Sequence, residues 1–162
     1  MSYKQPPQLT NQEMQAFFQV AKIARLCSVN KNGTIHAVPV WFKYVQDQFV
    51  IAAPEKSQKV RNILRNNNVT LLVDVEGPPT RGVIVYGRAH VSFDKWDDEA
   101  VDLLSRYFPR EQAEKTMKGV QTIANWLKIT ITPNRFASFD YEKDDEYWKA
   151  ARYSPGDREK TD

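Results

Sequence analysis

Large apolar groups recur every three or four residues at Met14, Phe17, Phe18 and Ala21, which puts them on one side of a helix, and Thr10 or Asn11 can cap its start. After Arg25 the period falls to two. Segments 26–30 and 34–45 read as strands joined by Lys31-Asn32-Gly33, because an Asn-Gly pair favours the tight turn of a β-hairpin. A second turn at Gln46-Asp47-Gln48 leads into a strand over 49–53, which Pro54 ends. Ser57 is placed to cap a short helix reaching Asn66, with Val60, Ile63 and Leu64 on one face. Strand 69–75 precedes a rigid turn, Glu76-Gly77-Pro78-Pro79. A long strand then runs from about Arg81 to Phe93, and Gly87 interrupts it as a bulge or sharp barrel bend would. Two helical stretches follow, about 97–107 (Ala100, Val101, Leu103, Leu104) and 110–124, separated by Pro109. Residues 126–132 alternate as a strand, Pro133-Asn134 turns the chain, and 135–140 forms one more strand. Residues 1–10, with Pro6 and Pro7, read as a mobile lead-in, and the chain frays after about Ser154.

Consecutive antiparallel strands with one helix inserted leave exposed edges unless the sheet curls closed. The expected fold is therefore mainly β (α+β): a six-stranded antiparallel barrel with peripheral helices, one domain over 1–162 with its core at about 11–140. Composition agrees, since 162 residues with 41% hydrophobic and 27% charged side chains exclude disorder and low-complexity classes. Cys27 is the one cysteine, which rules out an intrachain disulfide and a Cys-rich zinc site. A net charge of +3 gives no argument for a nucleic-acid partner. No apolar run approaches the roughly 18 residues of a membrane helix, and the start MSYKQPPQLTNQEM lacks a signal pattern, so a cytoplasmic protein is expected.

Two stretches can carry chemistry. In Ile35-His36-Ala37-Val38-Pro39-Val40-Trp41-Phe42-Lys43, the residues His36, Val38, Val40 and Phe42 share one face of a strand, and Pro39, lacking an amide donor, belongs at an edge or bulge. Backbone groups near such a break are free to meet a flat heteroaromatic ring. In Lys56-Ser57-Gln58-Lys59-Val60-Arg61-Asn62-Ile63-Leu64-Arg65, four basic residues open a helix directly after a strand, where unpaired amides and the helix field favour a phosphate. Lys59 adds charge, Ser57 a hydroxyl, and Asn62 sits one turn further on. Together these make one flat wall and one phosphate cradle, the anatomy of a flavin mononucleotide pocket. A plainer reading also fits each stretch: Pro39 ends the ladder, Trp41 is core, and the basic run is a solvated helix face. His36 and His90 show no metal-ligand spacing, and no nucleophile elbow, P-loop or dinucleotide fingerprint occurs.

In the order and spacing of its blocks, the chain resembles the pyridoxamine 5′-phosphate oxidase-like superfamily of split β-barrel flavin-binding proteins. The resemblance covers about residues 24–93, through Ala24-Arg25-Leu26-Cys27-Ser28-Val29, the Asn32-Gly33 hairpin, Val38-Pro39-Val40-Trp41-Phe42, Ser57-Gln58-Lys59-Val60-Arg61-Asn62-Ile63, Val69-Thr70-Leu71-Leu72-Val73 and Val85-Tyr86-Gly87-Arg88-Ala89. It implies a homodimer with two FMN molecules at the interface. It also implies that the backbone of Val38, Pro39, Val40 and Trp41 lines the isoalloxazine, that Ser57 and Lys59 hold the phosphate, and that Lys43 stands near a family phosphate lysine. Gln58 stands where the family has arginine, and Ala53 where a threonine often contacts the phosphate; Arg61 or Arg81 is the expected substitute. The Arg- and His-rich C-terminal segment of true pyridoxamine phosphate oxidases is missing, so a shorter relative is implied and vitamin B6 oxidation is not expected. The function that follows is flavin-dependent oxidoreduction through bound FMN, with no catalytic side chain required. Alternatives on the same fold are a deazaflavin-dependent reductase, because Gln58 replaces the arginine, and a non-catalytic flavin storage or sensing protein.

Overall fold

The computed structural model describes residues 5–75 and 80–151. The turn expected at Glu76-Gly77-Pro78-Pro79 and the fraying after Ser154 lie outside them. Seven strands form one antiparallel sheet: β1 (Ile23–Val29), β2 (Ile35–Trp41), β3 (Lys43–Val45), β4 (Gln48–Pro54), β5 (Asn68–Asp74), β6 (Arg81–Ser92) and β7 (Trp126–Asp140). Their order across the sheet is β2-β1-β5-β6-β7-β4-β3.

The sheet has seven strands where six were expected, and the segment 34–45 is broken at Phe42. Its first half pairs with β1 and its second with β4, at opposite ends of the strand order. One residue spans only about 3.5 Å, so two sheet edges joined through a single residue must lie side by side. The sheet therefore curls on itself into the split barrel. Phe42 keeps the inward alternation of Val38 and Val40 and is fully buried, yet its backbone leaves the ladder: its N–H donates to the Tyr107 hydroxyl at 2.8 Å, and its carbonyl accepts from Arg106 at 3.1 Å.

A second correction concerns the far strand. Pro133-Asn134 makes no turn, and β7 runs unbroken from Trp126 to Asp140. Tyr86 faces Arg135 while Gly87 faces Pro133, so Asn134 is the extra residue of a bulge. Gly87 is required there because a Cβ would sit 2.6 Å from the Thr132 carbonyl oxygen.

Inward-facing Leu26, Phe42, Phe49, Ile51, Leu71, Val73, Val85 and Ile131 fill the barrel without exposure. Helix α1 (Asn11–Val20) lays Phe17 and Phe18 on this core, and the Phe18 ring meets Phe49 edge-on at 4.9 Å. Its N-terminus is a capping box, in which the Thr10 hydroxyl accepts from the Glu13 amide and the Glu13 carboxylate accepts from the Thr10 amide. Residues 7–9 of the lead-in are held rather than loose, since Leu9 is buried and the Pro7 carbonyl accepts from the Asp140 amide. Helix α2 (Gln58–Arg65) buries Val60 and Ile63, but Leu64, expected beside them, is 59% exposed, and Asn62 takes the buried place instead. Helices α3 (Asp97–Leu104) and α4 (Arg110–Gln121) form a hairpin around Pro109. Its core of Ala100, Leu103, Ala113 and Met117 covers Val50 and Ala52 on the outer side of β4. A short 3₁₀ turn (Tyr141–Lys143) and helix α5 (Asp145–Ala151) follow β7.

Candidate functional site

A cavity of about 360 Å³ lies between the barrel and the helical hairpin. Pro39, Val40 and Trp41 of β2 form one wall, and Ala52 and Pro54 of β4 continue it. Lys59 of α2 closes one side, and α3, α4 and Trp126 stand opposite. The alternation of β2 sets its wall: Val38 and Val40 turn inward, while Pro39 and Trp41 face out. Pro39 lies on an edge strand, where the missing donor costs no ladder bond.

Trp41 is 42% exposed and is held by its neighbours. Its indole stacks on the Tyr107 ring at 4.6 Å with 15° between planes, and Phe108 meets it edge-on at 5.4 Å. Tyr107 is itself pinned, because its hydroxyl accepts from the Phe42 amide and lies 2.8 Å from the carbonyls of both Lys22 and Phe42. Burial raises its pKa, so it stays a neutral phenol. Beside it, Arg106 donates to the carbonyls of Phe18, Gln19 and Ala21, ending α1 with a guanidinium in place of a local cap. Nothing in the sequence period marks Arg106 and Tyr107, since their partners lie more than sixty positions away.

The N-terminus of α2 shows three unfilled capacities. Ser57 is the N-cap in backbone conformation, but its side chain makes no cap bond, and its Oγ is buried without any hydrogen-bond partner. A buried hydroxyl without a partner is rare in native proteins and calls for an explanation. Lys59, two residues on, has no carboxylate partner among the described residues, and burial lowers its pKa. The first amides of the helix have no intrahelical acceptors. Together these are three kinds of donor with no protein acceptor, as an anion site requires.

The other basic and polar candidates are engaged elsewhere. Gln58 donates to Asn62 at 2.8 Å and accepts from Arg61 at 2.7 Å. The fully buried Asn62 donates to Ser28 and Asn30 and accepts from Gln58 and Arg65, which exhausts its amide. Arg61 also binds the Lys56 carbonyl at 3.1 Å. Lys43 bonds the Asp102 carboxylate of α3, which keeps that acid below the ordinary range, and it does not line the cavity. Arg81 lies at the start of β6, 3.9 Å from Glu142 and 5.4 Å from the centre of the Phe17 ring, away from α2. Ala53 points into the core. The structure therefore gathers Pro39, Val40, Trp41 and Lys59 around one cavity, with Ser57 beside Lys59 in the chain, and it leaves Lys43, Asn62 and Arg81 with protein partners. Among the described residues no three His, Cys, Asp or Glu side chains gather as metal ligands, and no helix is long and apolar enough to cross a membrane.

Comparison with known proteins matches this architecture. The family model described as pyridoxamine 5′-phosphate oxidase covers residues 10–132. No curated protein matches the sequence. Among solved structures, the conserved hypothetical protein Rv2991 from Mycobacterium tuberculosis superposes with a TM-score of 0.72 at 20% identity, covering 87% of this chain and 92% of that one. A protein named F420 Reductase gives 0.60 at 21% identity, with 76% and 94% covered. A FAD-binding protein from Mesorhizobium loti gives 0.58 at 18% identity, with 82% and 93% covered. At these identities the likeness is one of fold.

Proposed function

Because the chain belongs to the pyridoxamine 5′-phosphate oxidase family, we propose that it binds FMN, works as a homodimer and carries out flavin-dependent oxidoreduction. The observation that carries this reading is the unpartnered, buried Ser57 hydroxyl beside the unpaired Lys59 at the start of α2, next to a cavity walled by Trp41. These residues fit a phosphate: Lys59 supplies the charge, Ser57 a hydroxyl and the leading helix amides further donors. The backbone of Val38, Pro39, Val40 and Trp41 would line the ring, although the Val38 side chain turns into the core, with Trp41 held flat by Tyr107. Bound flavin supplies hydride or electron transfer; the chain supplies position, a cation and shelter from water. Fold neighbours named for FAD and for F420 support a flavin-type cofactor.

The dimer rests on the outer face of the sheet. Register places Pro39, Arg25, Leu72, Ile84 and Ala137 in one row across five strands, and Ala37, Cys27, Thr70, Tyr86 and Arg135 in the next. Among the described residues no helix lies over Leu72, Ile84 or Tyr86, and all three stay half-exposed, with Arg135 stacked on Tyr86 and Gln5 and Pro6 beside Ile84. The row ends at Pro39, so a second copy seated there would border the cavity.

Titration of the purified protein with FMN tests the reading. About one FMN per chain is expected, and Lys59→Ala should weaken binding by roughly 1.5–3 kcal/mol, the worth of a charge-assisted bond. Uptake of deazaflavin coenzyme but not FMN would overturn the choice of cofactor. Tight FMN binding with no turnover of any donor would favour storage or sensing.

A further inference from the structure

The cavity wall opposite β2 has no part in holding the phosphate or the ring strand, and its chemistry is uniform. Leu103 and Leu104 of α3, Met117 and Val120 of α4, and Trp126 present apolar groups; Thr116 is the one neutral polar side chain of the lining and Lys59 the one charge. Resting on the flavin reading, we propose that this wall receives a second ligand that is an uncharged, flat, two-ring aromatic compound.

Charge is the first argument. With Lys59 committed to the cofactor phosphate, no other cation among the described residues faces the cavity, and a carboxylate or a second phosphate entering it would lose its water without a partner. A nicotinamide dinucleotide, which carries two phosphates, therefore does not suit this wall. Hydrogen bonding is the second. The Trp126 indole N–H is already donated to the Val120 carbonyl at 3.2 Å, and the Trp96 N–H to the Trp126 carbonyl at 2.9 Å, so neither indole offers a donor and the Thr116 hydroxyl is what a ligand carbonyl could meet. Shape is the third. A ligand between this wall and a flavin ring along β2 must be flat, and Met117 adapts around its edge.

Equilibrium dialysis at saturating FMN decides the matter, with 2,3-dimethyl-1,4-naphthoquinone as the neutral probe and naphthalene-2-sulfonate as the charged one. The quinone carbons of the first are fully substituted, which keeps Cys27 from adding to them. The neutral probe should bind at least about tenfold more tightly than the sulfonate, as expected for a wall that cannot pair a charge. Val120→Glu and Thr116→Asp, both at half-exposed positions and each checked for native circular dichroism, should each cut that binding about tenfold and leave FMN affinity within about twofold. Equal binding of the sulfonate overturns the proposal, and so does a folded variant that keeps the naphthoquinone. Parallel loss of FMN in the variants also overturns it, because the wall would then belong to the cofactor. Wild-type protein that takes up no FMN sinks the cofactor reading and this inference with it, whereas equal binding of the two probes at full FMN occupancy overturns this inference alone.

Discussion

Ser57 and Lys59 separate binding from stability in opposite ways. An N-cap serine usually contributes about 1 kcal/mol through its bond to the helix amides, but Ser57 makes no such bond. Ser57→Ala removes a buried hydroxyl without a partner, so thermal stability should hold or rise by up to about 1 kcal/mol while FMN affinity falls. A calorimetric melt beside an FMN titration reads both quantities; equal losses in the two would make Ser57 structural. Glu13 provides a pH handle. Its carboxylate accepts from the Lys143 ammonium and the Thr10 amide, which lowers its pKa from 4.5 to about 2. A depressed carboxylate contributes stability that is fully present above its unfolded pKa and is lost as pH falls through the folded one. The melting temperature of wild type should therefore exceed that of Glu13→Gln by a constant margin above about pH 5 and converge with it toward pH 2. A gap that persists at the acid end would show that the capping box, not the charge, carries the effect.

Among the strands and helices, those written locally were legible and those written at a distance were not. Asn32-Gly33 turns the first hairpin with Gly33 at φ +86, Thr10 caps α1, and Gly87 marks the bulge, each from its own residue type. The break at Phe42 was invisible because Tyr107 and Arg106, far along the chain, take up its backbone. Pro133-Asn134 reads as a turn by composition, yet β6 offers a continuous partner on both sides, so the ladder absorbs the pair as a bulge. The same division holds for the cavity. Ser57 and Lys59 stood out from helix-start chemistry, whereas the apolar residues of α3 and α4 read as core, and only the placement of the hairpin over β4 makes some of them lining. Asn62 looked available because its helical position faces Lys59; the partners that consume it come from β1 and the following loop. The bulge can be tested directly. Gly87→Ala forces a methyl against the Thr132 carbonyl and should cost about 1–3 kcal/mol in denaturant unfolding, the usual penalty of overpacking. An unchanged midpoint would mean that β7 shifts freely.

For the assembled protein, the uncovered rows on the outer sheet face make the sharpest prediction. Leu72→Asp places a carboxylate at a half-exposed position, a mild change for an isolated chain and a severe one for a buried interface. Sedimentation should show wild type at twice the chain mass of 18.8 kDa and the variant at that mass alone, with FMN binding weakened in step. A dimer that survives the change would move the interface elsewhere.

Phe42 also makes the barrel a strip of cloth fastened by one stitch. The two borders of the strip, β2 and β3, meet through that residue, whose backbone is taken up by a tyrosine hydroxyl and a guanidinium rather than by a ladder. Cutting the backbone between Phe42 and Lys43 and rejoining the chain elsewhere would spare every strand pairing. Such a rearranged chain should still close its core, with β3 held from outside by the Lys43–Asp102 ion pair and by the Gln19 side chain donating to the Tyr44 carbonyl.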